Sequence, residues 1–274
     1  MGNAIRNLKA ACLTCNQSKA DHLPNASKDA AISNSGAGRL GAPQLEATPL
    51  GIDNDRHASE LEALIRSLQP DIILNDRLPG VGDYATPEQF IPSDPPSRRW
   101  ETCLTMNRSW GWNPDDHDYK SSRFLLHSLC EVAGRGGNLL LNVSPRGDGS
   151  LPPEQIERLE DIGSWISSHR EAIWATTPGL GPAQFYGPST KRGDTIYLIL
   201  LMRPYDTIEV RDIAVKRVQS VRDLGTGRVL QHRKTTGLIE GLTPDPTGTL
   251  TIAVPADVID PYATVIEVEV APLA

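Results

Sequence analysis

The 274 residues amount to about two domains at ~150 residues each, and a hydrophobic share of 39% with 23 Gly and 22 Pro is ordinary for a globular chain, which excludes collagen and wholesale disorder. With 27 basic against 34 acidic residues, the net charge of −7 argues against a nucleic-acid partner and for uncharged ligands. No stretch approaches the roughly 20 apolar residues of a membrane span, and residues 1–13 hold no signal-peptide core, so no membrane partner and a cytoplasmic location are expected.

Residues 1–50, with ten Ala and five Asn, keep neither a helical nor a strand period and form an atypical N-terminal segment. It reads either as a tail or as a stretch standing in place of a longer N-terminal region. Cys12 and Cys15 make a C-x-x-C without a second pair, so they read as incidental thiols, and neither a metal nor another cofactor is expected. From Ala58 the pattern changes. Leu61, Leu64, Ile65 and Leu68 recur at helical spacing, and Ser59 with Glu62 forms a capping box, predicting a helix over 58–68. Pro70 stops it. The run 71–76 then reads as a buried strand, apolar in its middle with polar groups at its carboxyl end. A Gly- and Pro-rich loop follows over 78–99, too long for a mere connection and so a candidate to face a ligand.

A strand is expected over 101–106, a helix over 121–133 with Leu125, Leu129 and Val132 on one face and Gly134 ending it, and a buried strand over 138–143. Pro152 and Pro153 suit the first turn of a third helix that carries Ile156, Leu159, Ile162 and Ile166 inward to about His169. Beyond Thr176 the stretches 195–202, 249–254 and 263–270 are β-rich, and Ile266, Val268 and Val270 alternate with Glu267 and Glu269 as in a half-buried strand. The expectation is an α/β part over 51–176 followed by an all-β sandwich over 177–274.

Six blocks carry a resemblance: Leu-Gln-Pro-Asp-Ile-Ile-Leu-Asn-Asp-Arg (68–77), Gly-Asp-Tyr-Ala-Thr-Pro-Glu-Gln (82–89), Trp-Glu-Thr-Cys (100–103), Ser-Trp-Gly-Trp (109–112), Gly-Gly-Asn-Leu-Leu-Leu-Asn-Val (136–143) and Glu-Ala-Ile-Trp-Ala-Thr (171–176). In this order and spacing the sequence resembles the α-L-fucosidases of glycoside hydrolase family 29. The resemblance implies a retaining glycosidase with a (β/α)8-like barrel followed by a β-sandwich, acting on fucosylated glycans or aryl fucosides without a cofactor. Retention needs two carboxyl groups about 5–5.5 Å apart, one attacking the anomeric carbon and one moving the proton. By motif position Glu88 resembles the family's general acid/base and Arg77 an arginine close to the sugar, able to give charge-assisted hydrogen bonds. Trp110 resembles an aromatic packed near the methyl group of the 6-deoxy sugar. Glu101 is the other acid by position, with buttressing of the barrel mouth as its bland reading. Trp112, Trp165 and Trp174 read as packing residues, and His117 and His127 as surface or core histidines.

The family's usual nucleophile motif is missing. Asp53, in Ile-Asp-Asn-Asp (52–55), is the nearest stand-in, with Asp55 behind it and a polar loop or helix start as the bland reading. An eight-stranded barrel typically takes about 250 residues, and only three strands are legible before the sandwich. The chain therefore reads as a partial barrel, the last units plus the sandwich. Its uncovered apolar faces make a homo-oligomer the expected state. The alternative reading is a non-catalytic carbohydrate-binding or structural protein that keeps the fold remnants.

Overall fold

In the computed structural model residues 54–78 and 82–272 are described. They fall in two units, one ending at Asp83 and the other running on from Tyr84. Asp53 and the cysteines of the C-x-x-C lie outside the described residues.

The first unit is built on helix α1 (Asn54–Leu68). It begins five residues before Ser59, so Ser59 and Glu62 lie inside the helix and not at its start, a correction to the capping-box reading. Glu62 pairs instead with Arg66 one turn on, at 2.9 Å. Arg66 also donates to the Ile72 carbonyl (3.1 Å) and to both oxygens of Asp83 (3.0 and 3.1 Å). Asp83 in turn accepts from the Leu74 N–H at 2.8 Å and gives its own N–H to the Leu74 carbonyl at 2.7 Å. The segment 71–76 forms no strand, contrary to expectation: only Asn75 takes part in a bridge, and Ile73 is 72% exposed. An apolar run becomes a strand only with a neighbour to complete its ladder, and here the polar clasp of Arg66 and Asp83 organises the backbone instead.

The second unit opens with a small parallel sheet. Strands β1 (Glu101–Thr105) and β2 (Asn138–Asn142) pair in parallel, Glu101 opposite Asn138 and Thr105 opposite Asn142. Helix α2 (Ser122–Gly134) makes the crossover, capped by the Ser121 hydroxyl, which accepts from the Phe124 N–H at 3.1 Å. The helix ends at Gly134, as expected, and the left-handed residue that follows is Gly136 (φ 76°). Helix α3 (Pro153–His169) follows with prolines at its start, as expected. Its inner face is Leu159, Ile162 and Trp165, while Ile156 is exposed, which shifts the predicted stripe. The Trp165 indole donates to the Ala263 carbonyl at 2.8 Å, fastening α3 to the sandwich. Trp112 and Trp174 are exposed, so of these three tryptophans only Trp165 packs inside.

The rest is antiparallel. Strands β3 (Thr177–Pro178), β4 (Ser189–Arg192), β5 (Thr195–Leu200), β7 (Val218–Asp223) and β10 (Thr264–Val270) form one sheet in the order β3-β4-β5-β10-β7. Strands β6 (Thr207–Ala214), β8 (His232–Thr235) and β9 (Thr247–Ala253) form a second, ordered β6-β9-β8. Alternate side chains from both sheets, among them Leu198, Val210, Val221, Leu250, Ile252, Ile266 and Val268, fill the shared core. Strand β10 is central rather than half-buried: Glu267 is only 7% exposed because Arg222 grips it with two bonds of 2.8 and 3.0 Å. The architecture is α/β plus all-β, a barrel fragment followed by a sandwich.

Candidate active site

The backbone fixes Glu88 first. The peptides on either side of it both bond to Cys103: the Cys103 N–H donates to the Pro87 carbonyl (3.1 Å), and the Gln89 N–H donates to the Cys103 carbonyl (2.9 Å). This is a parallel bridge between Glu88 and Cys103, and a second one joins Ala85 to Trp100. Residues 85–88 thus extend the sheet beyond β1. Laterally paired residues point to one side, so Glu88, Cys103 and Glu101 share one face, and Ala85 and Trp100 the other. The second face is the helix side, where Trp100, 3% exposed, packs with Ala85, Val132 and Leu139. Glu88 therefore lies on the face turned away from α2, where a closed barrel has its interior.

Beyond the carboxyl end of β1 the chain enters a loop ordered by its own polar groups. Asp116 accepts from the Arg108 N–H (3.0 Å) and from the Ser109 hydroxyl (2.7 Å). The Ser109 bond first, then N–H donors from Asp118 and Arg108, hold the Asp116 carboxyl below its usual range. Trp110 is set in this loop. Its carbonyl accepts from Asn142 Nδ2 at 2.8 Å and from the Ser144 hydroxyl at 3.3 Å, at the carboxyl end of β2. Asn107 and Asn142, each the start of an N-x-[ST] triplet, are buried. Lys120 donates to the carbonyls of Thr105 (2.8 Å) and Asn107 (3.1 Å). Burial lowers the Lys120 ammonium pKa, against the pull of Asp118 and Asp116.

Of the residues singled out from sequence, Glu88 stands level with Cys103 in the middle of β1, and Trp110 stands at the carboxyl end of the parallel sheet. Glu101 opens β1, at the opposite end, about 7 Å along the strand from the level of Glu88 at 3.3 Å per residue. Burial pushes its carboxyl pKa up. Arg77 belongs to the first unit, where its N–H closes an Asx turn on Asn75 Oδ1 at 3.1 Å and the residue is exposed. Asp53 is outside the described residues, and Asp55 lies in the first turn of α1. His127 Nε2 meets the Tyr262 carbonyl at 2.9 Å, a structural contact. Sequence reading gave no role to Gln89, although it ends the 82–89 block, nor to Thr105, Asp116 or Lys120, because their partners lie up to 16 and, for Lys120, 38 residues away.

Comparison with known proteins bears on the same segment. The α-L-fucosidase family model matches residues 44–171. Over this segment, a little under half of the chain, the sequence is similar to the α-L-fucosidase family. The match reaches into residues 44–50, where the motif blocks had not carried the resemblance. A tissue α-L-fucosidase of Bos taurus is 32% identical over 150 residues, covering 50% of this chain and 31% of the bovine one. An α-L-fucosidase of Dictyostelium discoideum is 32% identical over 120 residues, 41% of this chain and 26% of that one. The chain thus matches about a quarter to a third of these relatives' length. Among solved structures, α-L-fucosidase isoenzyme 1 from Paenibacillus thiaminolyticus superposes with a TM-score of 0.67 at 29% identity, over 78% of this chain and 54% of that one. An α-fucosidase of Thermotoga maritima, solved with fucose, gives 0.61 at 27% identity, over 78% of this chain and 49% of the other.

Proposed function

We propose that the chain is a retaining α-L-fucosidase, built on a partial barrel, that removes terminal α-L-fucose from glycans or aryl fucosides with Glu88 as general acid/base. The observation that carries this reading is the double backbone anchor of Glu88 to Cys103, which sets an acid on the face away from α2 within the family-matched segment. In the first step a carboxylate attacks the anomeric carbon while the bond to the leaving oxygen breaks, and that oxygen takes the proton of Glu88. In the second, the Glu88 carboxylate takes a proton from water, whose oxygen displaces the enzyme carboxylate and frees fucose with its original configuration. Asp53 is the proposed attacking group, with Asp55 its alternative.

Trp110, at the carboxyl end of the sheet, is the proposed apolar wall for the sugar methyl group, and Arg77 the proposed donor to sugar oxygens. Glu101, at the amino end of β1, suits a buttressing role better than contact with sugar. The chain is also proposed to self-associate, since α1 carries Leu61, Leu64 and Leu68 on exposed ground. The test is incubation of the full chain with an aryl α-L-fucoside, with proton NMR of the first product. Turnover that releases the α anomer first supports the reading. Release of the β anomer first overturns retention, and fucose binding without turnover returns the chain to the carbohydrate-binding alternative. A 2-fluoro fucosyl reagent is expected to label Asp53; label elsewhere reassigns the nucleophile.

A further inference from the structure

We infer that Gln89 and Thr105, braced by Lys120, form a clamp that positions Glu88 for proton transfer; the inference rests on the acid/base reading of Glu88. Gln89 adopts φ 65°, a left-handed conformation uncommon for a residue with a side chain. It does so immediately after the last ladder bond of the strand that presents Glu88. What holds it there is its own amide: Nε2 donates to Thr105 Oγ1 at 3.1 Å, and Oε1 accepts from the Thr105 N–H at 3.4 Å. Thr105 is 1% exposed, and its hydroxyl donates onward to the Asn107 carbonyl. The Lys120 ammonium completes the set, 3.3 Å from Thr105 Oγ1 and 2.8 Å from the Thr105 carbonyl. Lys120 is itself tied down, because Arg158 Nε donates to its carbonyl at 2.6 Å.

Glu88 therefore sits between two fixed points, the Cys103 bridge and the Gln89 clamp, and its Cα–Cβ direction is set from both sides. A backbone outlier at an exposed residue kept by a buried threonine beside a candidate acid is the pattern in which local strain serves a site. The chemistry explains the need: a proton donor displaced by about 1 Å from the leaving oxygen loses on the order of a hundredfold in rate. A clamp that only closed a turn would be indifferent to what leaves the sugar. A positioning clamp is not, because a leaving group that departs unaided needs little proton donation.

The experiment uses the full chain and two substrates, an aryl fucoside with a good leaving group and a fucosyl oligosaccharide with a poor one. Gln89→Ala and Thr105→Val are expected to lower kcat/KM, which reports the first step, about tenfold to a hundredfold on the oligosaccharide and to leave kcat/KM of the aryl substrate little affected. Thr105→Ser, which keeps the hydroxyl, is expected to behave as the unaltered chain. Gln89→Gly removes the amide while easing the left-handed backbone, so it keeps the fold accessible and is expected to show the same selective loss. Equal losses of kcat/KM on both substrates, or an unaltered kcat/KM on the oligosaccharide in Gln89→Gly, overturn the clamp while a selective loss in Glu88→Gln keeps the acid/base reading. Absence of turnover on both substrates in the unaltered chain, or no selective loss in Glu88→Gln, overturns that reading and the clamp with it.

Discussion

Gly137 has almost no room for a side chain: a Cβ there would lie 2.4 Å from the Trp100 ring, which fills the space between the sheet and α2. Gly137→Ala is expected to destabilise the second unit by about 1–3 kcal/mol, the usual cost of overpacking, read as a lowered urea midpoint. An unchanged midpoint would mean that the Trp100 ring yields without penalty. At Glu101 the effect runs with pH. Burial raises its pKa above the unfolded value, so the folded chain holds the proton more tightly, and this contribution is fully present below the unfolded pKa and lost as pH rises through the folded one. Glu101→Gln is therefore expected to raise Tm at neutral pH relative to the unaltered chain and to have less effect at acidic pH; a lowered neutral Tm contradicts this. The sequence made Glu88 legible because Thr-Pro-Glu is a contiguous motif. Gln89, although it ends the same block, carries no local sign of its proposed role, which depends on a left-handed backbone and a threonine 16 positions on.

Elements were legible where a partner strand or a cap existed to realise the pattern. The runs 71–76 and 138–143 look alike in sequence, yet the second became β2 because β1 lies beside it, and the first stayed without a ladder. Helix α2 followed its pattern closely because Ser121 supplies its cap. On α3 the burial stripe turned by a residue, taking Trp165 in and leaving Ile156 out, since the indole N–H finds a carbonyl at Ala263 across the junction with the sandwich. Trp165→Phe removes that donor and leaves a buried carbonyl short of a partner. It is expected to cost about 1–3 kcal/mol in equilibrium unfolding, and no change would show that the contact carries no stability. The loop over 108–118 has its own pH signature. The Asp116 carboxyl, depressed chiefly by Ser109, supports the loop above the ordinary carboxylate pKa and releases it as pH falls through the lower folded value. Protection of the Arg108 amide from hydrogen exchange, relative to its intrinsic rate, should fall in that acidic window, and Asp116→Asn should show the lower protection already at neutral pH.

At the scale of the whole molecule the central fact is size. The chain spans 26–31% of two curated relatives and 49–54% of two solved ones, so it matches only part of their length. Strand counting gives the same expectation of a partial barrel, because a closed one needs more chain than the 51–176 stretch supplies. The consequence lies on the surface. Leu64 and Leu68 on α1 are exposed by 56% and 78%, and strand β2 has β1 as its one neighbour among the described residues. Light scattering at micromolar concentration is expected to give at least a dimer, with a monomer as the contrary result. Self-association and catalysis meet in one question, whether Glu88 works as an acid in this chain. The most direct measurement is the kcat/KM of Glu88→Gln against the unaltered chain on a fucosyl oligosaccharide and on an aryl fucoside with a good leaving group. The account predicts a loss far larger on the oligosaccharide, with azide restoring turnover of the aryl substrate, whereas equal losses on both would contradict it.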